Sequence, residues 1–162
     1  MHSYGQFCPV ALAAEIFCER WNAVILRELA SGSRRFSDIQ RGAPVMSPSL
    51  LTKRLKELES AGVVERHRSA SGKAWEYRLT EAGWEFEPIV RALGVWGCRW
   101  VSQSLGDDKL DVNLLMWDMR RSVRPAVLDR DPAVIQIAFT DQPKARSCYW
   151  LVCEAGEGAL CL

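Results

Sequence analysis

A chain of 162 residues can bury a hydrophobic core and can hold one domain with an appended module. Its 48% hydrophobic and 25% charged residues are typical of a globular protein, and no apolar run approaches the ~20 residues that span a bilayer. The amino terminus lacks the basic-then-apolar layout of a signal peptide, so we expect a cytoplasmic protein with no membrane partner.

The residue types that carry catalysis or bind metals form no recognisable set in this sequence. Six cysteines are present, but no two have CxxC spacing, and the only histidines are His2 and His67. No paired carboxylates, Ser/His/Asp set or phosphate-binding loop emerges. We therefore expect free thiols, no metal, no cofactor and no enzymatic activity.

The net charge of +1 hides an uneven distribution of charge along the chain. Between residues 34 and 73, nine Lys and Arg residues stand against four acids. Positive charge concentrated in one stretch is typical of a phosphate-binding surface, although a run of charges is more often a solvated face. The weight of this signal depends on which elements carry the charges.

The first third of the chain predicts three short helices. Pro9 is suited to the first turn of one, and Asn22 is a good N-cap for a second that ends near residue 30. Residues 36–41 predict a short third helix, which Gly42 stops.

A fourth helix, 47–61, is the clearest element in the sequence. Ser47 is an N-cap, Pro48 follows at N1, and Gly62 is a natural residue to end the helix. Its leucines fall on one face, while the opposite face carries small polar side chains and lysines. A short helix, a tight connection and a second helix form a helix-turn-helix, in which the second helix lies in the major groove of DNA. The alternative is an amphipathic helix with a solvated face.

Two predicted strands, 63–67 and 74–79, follow this helix and form a hairpin. The hairpin wing, 66–74, has Arg68 and Lys73 at a polar turn, where they would grip the sugar-phosphate backbone. Helix, turn, helix and basic hairpin in this order favour DNA binding over a solvated face. The predicted DNA-binding residues are Arg34, Arg35, Ser47, Ser49, Thr52, Lys53, Lys56, Arg68 and Lys73.

Four large side chains in this region receive a structural interpretation. Arg54 lies nearer the leucine face of its helix than the lysine face, which favours an ion pair with a neighbouring acid over a base contact. Trp21, Trp75 and Tyr77 are interpreted as core or interdomain packing rather than as platforms on which bases stack.

Several segments resemble motifs of the HxlR-type regulators. The matching segments are Cys8-Pro9, Arg20-Trp21 with 25–29, Arg35–Ile39, 47–58 with 62–66, and 76–83. The resemblance spans roughly residues 7–101 and implies a MarR-like winged-helix fold, a homodimer and binding to operator DNA. In several family members the cysteine of the Cys-Pro element senses oxidants or electrophiles.

Cys8 holds the position of that sensing cysteine. The amino terminus of a helix favours the thiolate form of a cysteine, and oxidation of Cys8 would shift the dimer geometry and so the affinity for DNA. The alternative is a small packing residue. Cys18 and Cys98 lie in apolar stretches, and we interpret both as inert.

From Thr80 the pattern predicts one long helix reaching about Leu105. Large apolar residues recur along it every three or four positions, more than a domain of this size can cover, so we predict an isologous dimer interface aided by the amino-terminal helix. The alternative is a helix packed on its own domain. The predicted interface residues are Phe86, Ile89, Val90, Leu93, Trp96 and Trp100.

The remaining segment lies outside the family resemblance. A helix over about 110–121 and strands over 133–139 and 148–153 faintly resemble the beginning of a sterol carrier protein-like domain. Such a fragment would bind an apolar ligand between helix and sheet or would support the dimer. Its apolar end, 159–162, would leave an exposed edge strand, which either pairs with another protomer or marks a shortened chain.

Together these patterns predict an α+β protein. Residues 1–105 would form the winged helix-turn-helix with its long dimerisation helix, and 106–162 a small α+β module with antiparallel strands. We expect a regulator that binds a palindromic double-stranded operator as a homodimer and responds to an oxidant or electrophile at Cys8. The alternatives are a regulator that senses a small apolar molecule through the carboxy-terminal module and a winged helix that binds only proteins.

Overall fold

The computed structural model describes residues 3–101, 111–123, 132–144 and 147–154, together with the backbone of 157–161. The chain divides into two compact units, Met1–Leu105 and Gly106–Leu162. None of the described helices combines the length and the apolar character that a membrane crossing requires.

The described residues of the first unit form six helices and a two-stranded hairpin. These elements are α1 (Pro9–Phe17), α2 (Asn22–Ala30), α3 (Phe36–Gly42), α4 (Pro48–Ser60), β1 (Val64–Arg68), β2 (Trp75–Leu79), α5 (Glu81–Glu85) and α6 (Glu87–Trp100). The strands are antiparallel, with Val64 opposite Leu79 and Arg68 opposite Trp75. Helices α3 and α4 followed by this hairpin are a winged helix-turn-helix.

The core of the first unit lies among α2, α3, α4 and the base of the hairpin. Its buried residues are Ile25, Leu26, Leu29, Ile39, Ala43, Met46, Leu51, Leu55, Leu58, Val63, Val64 and Leu79. The backbone N–H of Tyr77 donates to the carbonyl oxygen of Arg34 at 2.8 Å, which ties the segment before α3 to the hairpin.

Helix α2 begins differently from the sequence prediction. Trp21, not Asn22, is the N-cap, and it takes a positive φ of 83°, an uncommon conformation for a bulky residue. Asn22 is fully buried in the first turn, and its amide donates to the carbonyl oxygen of Ile16 at 2.5 Å. The side chain is therefore used to hold the preceding chain rather than to cap its own helix.

The predicted long helix is broken in two at Phe86. The hydroxyl of Thr80 accepts a hydrogen bond from the N–H of Gly83 at 3.1 Å and caps α5. Pro88 stands in the first turn of α6, and because proline has no N–H it cannot continue the hydrogen bonds of α5. The predicted end near Leu105 lies outside the described residues.

The second unit packs a helix on an antiparallel sheet. Helix α7 (Val112–Ser122) precedes β3 (Ala133–Ala138), β4 (Cys148–Glu154) and β5 (Glu157–Cys161), which lie in the order β3-β4-β5. Tyr149 is buried, and its hydroxyl donates to Asn113 Oδ1 at 2.9 Å. The apolar end of the chain pairs with β4 as a third strand. The predicted α+β class is confirmed.

Candidate nucleic-acid interface

Helix α4 separates its apolar and polar side chains cleanly. Leu51, Leu55 and Leu58 are at most 1% exposed and hold the helix in the core. Four residues spaced as i, i+3, i+4 and i+7 form a stripe of exposed side chains on the other side. This stripe consists of Ser49, Thr52, Lys53 and Lys56, and the N-cap Ser47 beside it is also exposed.

Local hydrogen bonds orient the small polar groups of α4. The hydroxyl of Ser47 accepts from the N–H of Leu50 at 3.3 Å and lies 3.2 Å from that of Ser49. Thr52 donates its hydroxyl proton to the carbonyl oxygen of Pro48 at 2.9 Å, which leaves the oxygen lone pairs outward as acceptors. Lys53 Nζ lies 3.9 Å from a Glu57 carboxylate oxygen, a long contact in which the lysine is 66% exposed, so a phosphate can replace it at small cost.

Arg54 forms the internal ion pair that the sequence predicted. Its Nη2 lies 2.6 Å from Glu19 Oε2 and its Nη1 lies 2.6 Å from Glu57 Oε2. The arginine side chain is 11% exposed and the two carboxylates 17% and 18%. It therefore links α4 to the segment between α1 and α2.

A buried carboxylate that the sequence reasoning missed joins α2 to α3. Glu28 is fully buried; Arg27 Nη2 donates to it at 2.7 Å and the hydroxyl of Ser33 at 3.1 Å. Arg27 Nη2 also donates to the carbonyl oxygen of Gly42 at 3.0 Å, at the end of α3. The sequence did offer one signal for this contact, because Glu28 is an acidic residue among the apolar residues of α2. We call Arg27, Glu28, Ser33 and Gly42 the α2–α3 clasp.

The side-chain amide of Gln40 holds the connection between α3 and α4 by two hydrogen bonds. Gln40 donates from Nε2 to the carbonyl oxygens of Ala43 and Met46, at 3.2 and 2.6 Å. These two bonds tie α3 to the connection that leads into α4, and the clasp ties α3 to α2.

The β1–β2 hairpin ends in a tight loop organised by Ser69. Its N–H donates to the carbonyl oxygen of Ala74 at 2.9 Å, and its hydroxyl accepts from the N–H of Ala74 at 3.2 Å. Gly72, at φ +69°, donates to the carbonyl oxygen of Ser69 at 2.7 Å. The loop carries Arg68 and Lys73 on its flanks, and both are exposed.

The aromatic residues near the hairpin divide into two groups. Trp21 and Tyr77 pack against the core, as predicted. Trp75 does not: it is 40% exposed, and the guanidinium carbons of Arg66 and Arg68 lie 4.3 and 4.0 Å from its ring centroid. The interpretation of Trp75 as a core residue was wrong because residues 75 and 68 pair at the outer end of the hairpin, beyond the reach of the core.

The two arginines before α3 have different surroundings. Arg34 is half-buried, and its Nη1 donates to the carbonyl oxygen of Leu29 at 3.4 Å. Arg35 occupies the N-cap position of α3 and is exposed. Of the two guanidinium groups, that of Arg35 is the more accessible to a phosphate.

Helix α6 presents an apolar stripe to solvent. Ile89, Leu93, Trp96 and Trp100 are 52%, 55%, 58% and 63% exposed. Two other predicted interface residues contact their own chain: Val90 packs against the core, and the ring of Phe86 stacks on Phe17 of α1. An open groove of about 800 Å³ runs between α2 and α6.

The amino-terminal segment adds further exposed apolar surface and a thiol. Phe7 is fully exposed, and Val10 and Leu12 are at least half exposed. Cys8 stands at the N-cap position of α1 with its thiol exposed. Cys18 and Cys98 are exposed as well, so their apolar sequence neighbours do not shield them. Within the described ranges, no three potential metal-ligating side chains come together.

Sequence comparison identifies relatives of the first unit. The profile of the HxlR-like helix-turn-helix family matches residues 16–105, more than half of the chain. The uncharacterised HTH-type transcriptional regulator YvaP of Bacillus subtilis (strain 168) is 38% identical over 105 residues, which cover 64% of this chain and 97% of YvaP. The regulator sll1512 of Synechocystis is 32% identical over 100 residues, 61% of this chain and 74% of that protein.

Solved structures with the same fold include regulators and one longer protein. The redox regulator HypR in its oxidised form is 32% identical, with a TM-score of 0.53, over 57% of this chain and 96% of HypR. The transcriptional regulator YodB from B. subtilis in its reduced form is 29% identical, with a TM-score of 0.52, over 62% of this chain and 100% of YodB. PA1607, a candidate transcription factor, is 25% identical, with a TM-score of 0.58, over 95% of this chain and 89% of PA1607.

Proposed function

The chain belongs to the HxlR-like helix-turn-helix family of transcriptional regulators, and from this premise we propose that it binds a palindromic operator as a homodimer. The observation that carries the proposal is the exposed stripe of α4, opposite buried leucines and next to a hairpin with exposed cations. The matched relatives are regulators rather than enzymes.

In this proposal α4 lies in the major groove. Ser49 and Thr52 hydrogen-bond base edges near the start of the helix, and Lys53 and Lys56 contact phosphates or guanine edges. The β1–β2 hairpin grips the adjacent backbone with Arg68 and Lys73. Arg34, Arg35 and the N-cap Ser47 complete the phosphate contacts.

The apolar stripe of α6 supports a two-fold dimer. Four large side chains that are more than half exposed on one helix exceed what a monomer ordinarily leaves in contact with water. Pairing the same stripe of two protomers would bury it, with help from the exposed residues of the amino-terminal segment. A dimer of this kind presents two α4 helices to half-sites about 34 Å apart, one turn of DNA.

The trigger in this proposal is oxidation of Cys8. The Cys8 thiolate attacks a hydroperoxide: an S–O bond forms, the O–O bond breaks, and the sulfenate retains the oxygen while water or an alcohol leaves. The exposed position of Cys8 and the stacking of Phe17 on Phe86, which links α1 to the start of α6, support a path from this thiol to the dimer helix. HypR is named a redox regulator.

A second candidate trigger is an apolar small molecule bound by the carboxy-terminal module. It is favoured by two exposed apolar side chains of the sheet, Val134 at 57% and Trp150 at 40%, which share the face opposite the one that carries the buried Tyr149. The site would therefore lie on the open face of the sheet rather than between helix and sheet. A thermal shift on adding hydrophobic ligands, absent when Trp150 is replaced by Ser, would support this candidate.

A mobility-shift assay on the promoter region of the protein's own gene tests the DNA binding. Lys53→Ala with Lys56→Ala should weaken binding. It should lower the slope of log affinity against log salt by about four for the homodimer, because each protomer loses two phosphate contacts and each contact releases roughly one counterion. Lys144→Ala, an exposed lysine of the second unit, is the matched control and should leave the slope unchanged. Absence of binding by the wild-type chain at low salt, reduced or oxidised, overturns the proposal.

Replacing Cys8 by Ser tests the trigger separately. The variant should bind the operator as the reduced wild-type protein does, and a hydroperoxide should no longer change its affinity, since serine cannot be oxidised in this way. Cys18→Ser, which alters another exposed thiol, should keep the response. An oxidant response that persists in Cys8→Ser excludes Cys8 as the sensor.

A further inference from the structure

The indole of Trp75 makes cation–π contacts with two arginines at the outer end of the β1–β2 hairpin. The guanidinium carbons of Arg66 and Arg68 lie 4.3 and 4.0 Å from its ring centroid. Arg68 is the direct cross-strand partner of Trp75, and Arg66 stands two residues nearer the base, opposite Tyr77. All four side chains share one face of the hairpin, because side chains alternate along a strand.

The charge of this pair is only weakly balanced by its surroundings. Arg66 Nε lies 3.8 Å from Glu59 Oε1, and because these two side chains are 40% and 38% exposed, water screens the ion pair. Two guanidinium groups beside one ring carry like charges that repel, and the attraction of each to the negative face of the indole opposes that repulsion. The ring keeps both cations together.

We propose that Trp75 is a positioning residue for DNA binding, which holds Arg66 and Arg68 so that both guanidinium groups enter the minor groove beside the segment contacted by α4. In this refinement Lys73 keeps its contact with the sugar-phosphate backbone, and Arg68 contacts the groove in place of the backbone. The inference rests on the proposed function and deepens it. It adds to the hairpin a preference for narrow, A·T-rich minor grooves, whose enhanced negative potential attracts arginine.

The choice of cation supports a groove rather than a phosphate contact. The stripe of α4 carries lysines, Lys53 and Lys56, whose ammonium groups are compact and strongly hydrated. The hairpin face carries arginines, whose guanidinium groups are more weakly hydrated and have one face already covered by the indole. Entry into a narrow groove removes water from a cation, and this step costs least for a stacked guanidinium.

The test uses the full chain and two operator duplexes with identical half-sites and either A·T-rich or G·C-rich flanks. The wild-type protein should favour the A·T-rich flanks by roughly tenfold. Trp75→Ala should reduce this ratio to about twofold or less, and Trp75→Tyr should restore most of it because tyrosine also offers an aromatic face. Arg66→Lys with Arg68→Lys keeps the charge but should lose the ratio as Trp75→Ala does.

Arg78→Ala is the matched control within the same hairpin. Arg78 lies on the opposite face, where it pairs with Glu76, so its removal should change both affinities equally. Because Trp75 is outside the buried core, the thermal unfolding of Trp75→Ala should match that of the wild type.

Three outcomes overturn the inference. If the wild-type chain binds both duplexes equally, the hairpin has no preference for A·T-rich minor grooves and Trp75 has no such role. If Trp75→Ala loses affinity equally for both duplexes, the arginines contact phosphates and not the groove. If Trp75→Tyr restores no more of the affinity ratio than Trp75→Ala keeps, the aromatic ring does not position the arginines. If the wild-type chain binds neither duplex at low salt, the proposed function fails and the inference fails with it, whereas the first three outcomes leave operator binding intact.

Discussion

At the scale of single residues, Arg54 tests the value of an ion pair held inside the fold. Replacing it by Ala leaves Glu19 and Glu57, each less than one-fifth exposed, without the cation that both contact. Losing one partner of a largely buried ion pair costs about 3 kcal/mol of the free energy of unfolding. Urea denaturation of Arg54→Ala should show a loss of this size.

The matched control is an arginine that is itself exposed to water. Arg78 lies 3.3 Å from Glu76 and is 53% exposed, and exposed pairs contribute roughly 0 to 1 kcal/mol. Arg78→Ala should therefore unfold within about 0.5 kcal/mol of the wild type. Equal losses in the two variants would show that the Arg54 pairs contribute no more than a surface contact.

At the scale of elements, the α2–α3 clasp orients the helix-turn-helix. A Cβ added at Gly42 would lie 1.9 Å from Cδ of the buried Glu28, so α3 or the carboxylate must move. We expect Gly42→Ala to lower the free energy of unfolding by about 1–3 kcal/mol, as overpacking does in other cores. Chemical denaturation of the variant measures this loss.

Another helical glycine provides the comparison for Gly42. A Cβ added at Gly94 in α6 meets nothing within 4 Å. There the higher helix propensity of alanine should raise the stability by about 0.5–1 kcal/mol. If Gly42→Ala is as stable as Gly94→Ala, the Glu28 side chain moves aside at no cost and the clasp does not fix the position of α3.

At the scale of the whole molecule, the apolar stripe of α6 tests the proposed dimer. Trp96→Glu places a charge in the centre of that stripe, which would be desolvated in a dimer. We expect the variant to sediment as a monomer and to bind the operator much more weakly, because one α4 reaches only one half-site. Analytical ultracentrifugation measures the change.

Val95→Glu is the neighbouring control. Val95 is 65% exposed but lies about 100° around the helix from Trp96, away from the stripe of Ile89, Leu93 and Trp100. The same charge at this position should leave the dimer intact. A wild-type chain that sediments as a monomer at micromolar concentration would contradict the proposed assembly.

The sequence by itself determined the features that depend on residues close together in the chain. The cap of α4 by Ser47, the proline at N1 and the separation of its leucines from Ser49, Thr52, Lys53 and Lys56 follow from contacts within one or two turns. The internal position of Arg54 also followed from the helical repeat. For this reason the winged helix-turn-helix and the outward face of α4 were predictable.

Only the tertiary structure decided the features that depend on residues distant in sequence. In the clasp, Arg27 joins Glu28 to the carbonyl oxygen of Gly42. The stacked rings of Phe17 and Phe86 meet at the break in the predicted long helix, and Trp75 lies beyond the core with its arginines. No local periodicity encodes these contacts, because each depends on how the chain turns back on itself. Which cations lie on the proposed DNA-binding surface together with α4 is therefore a property of the folded hairpin.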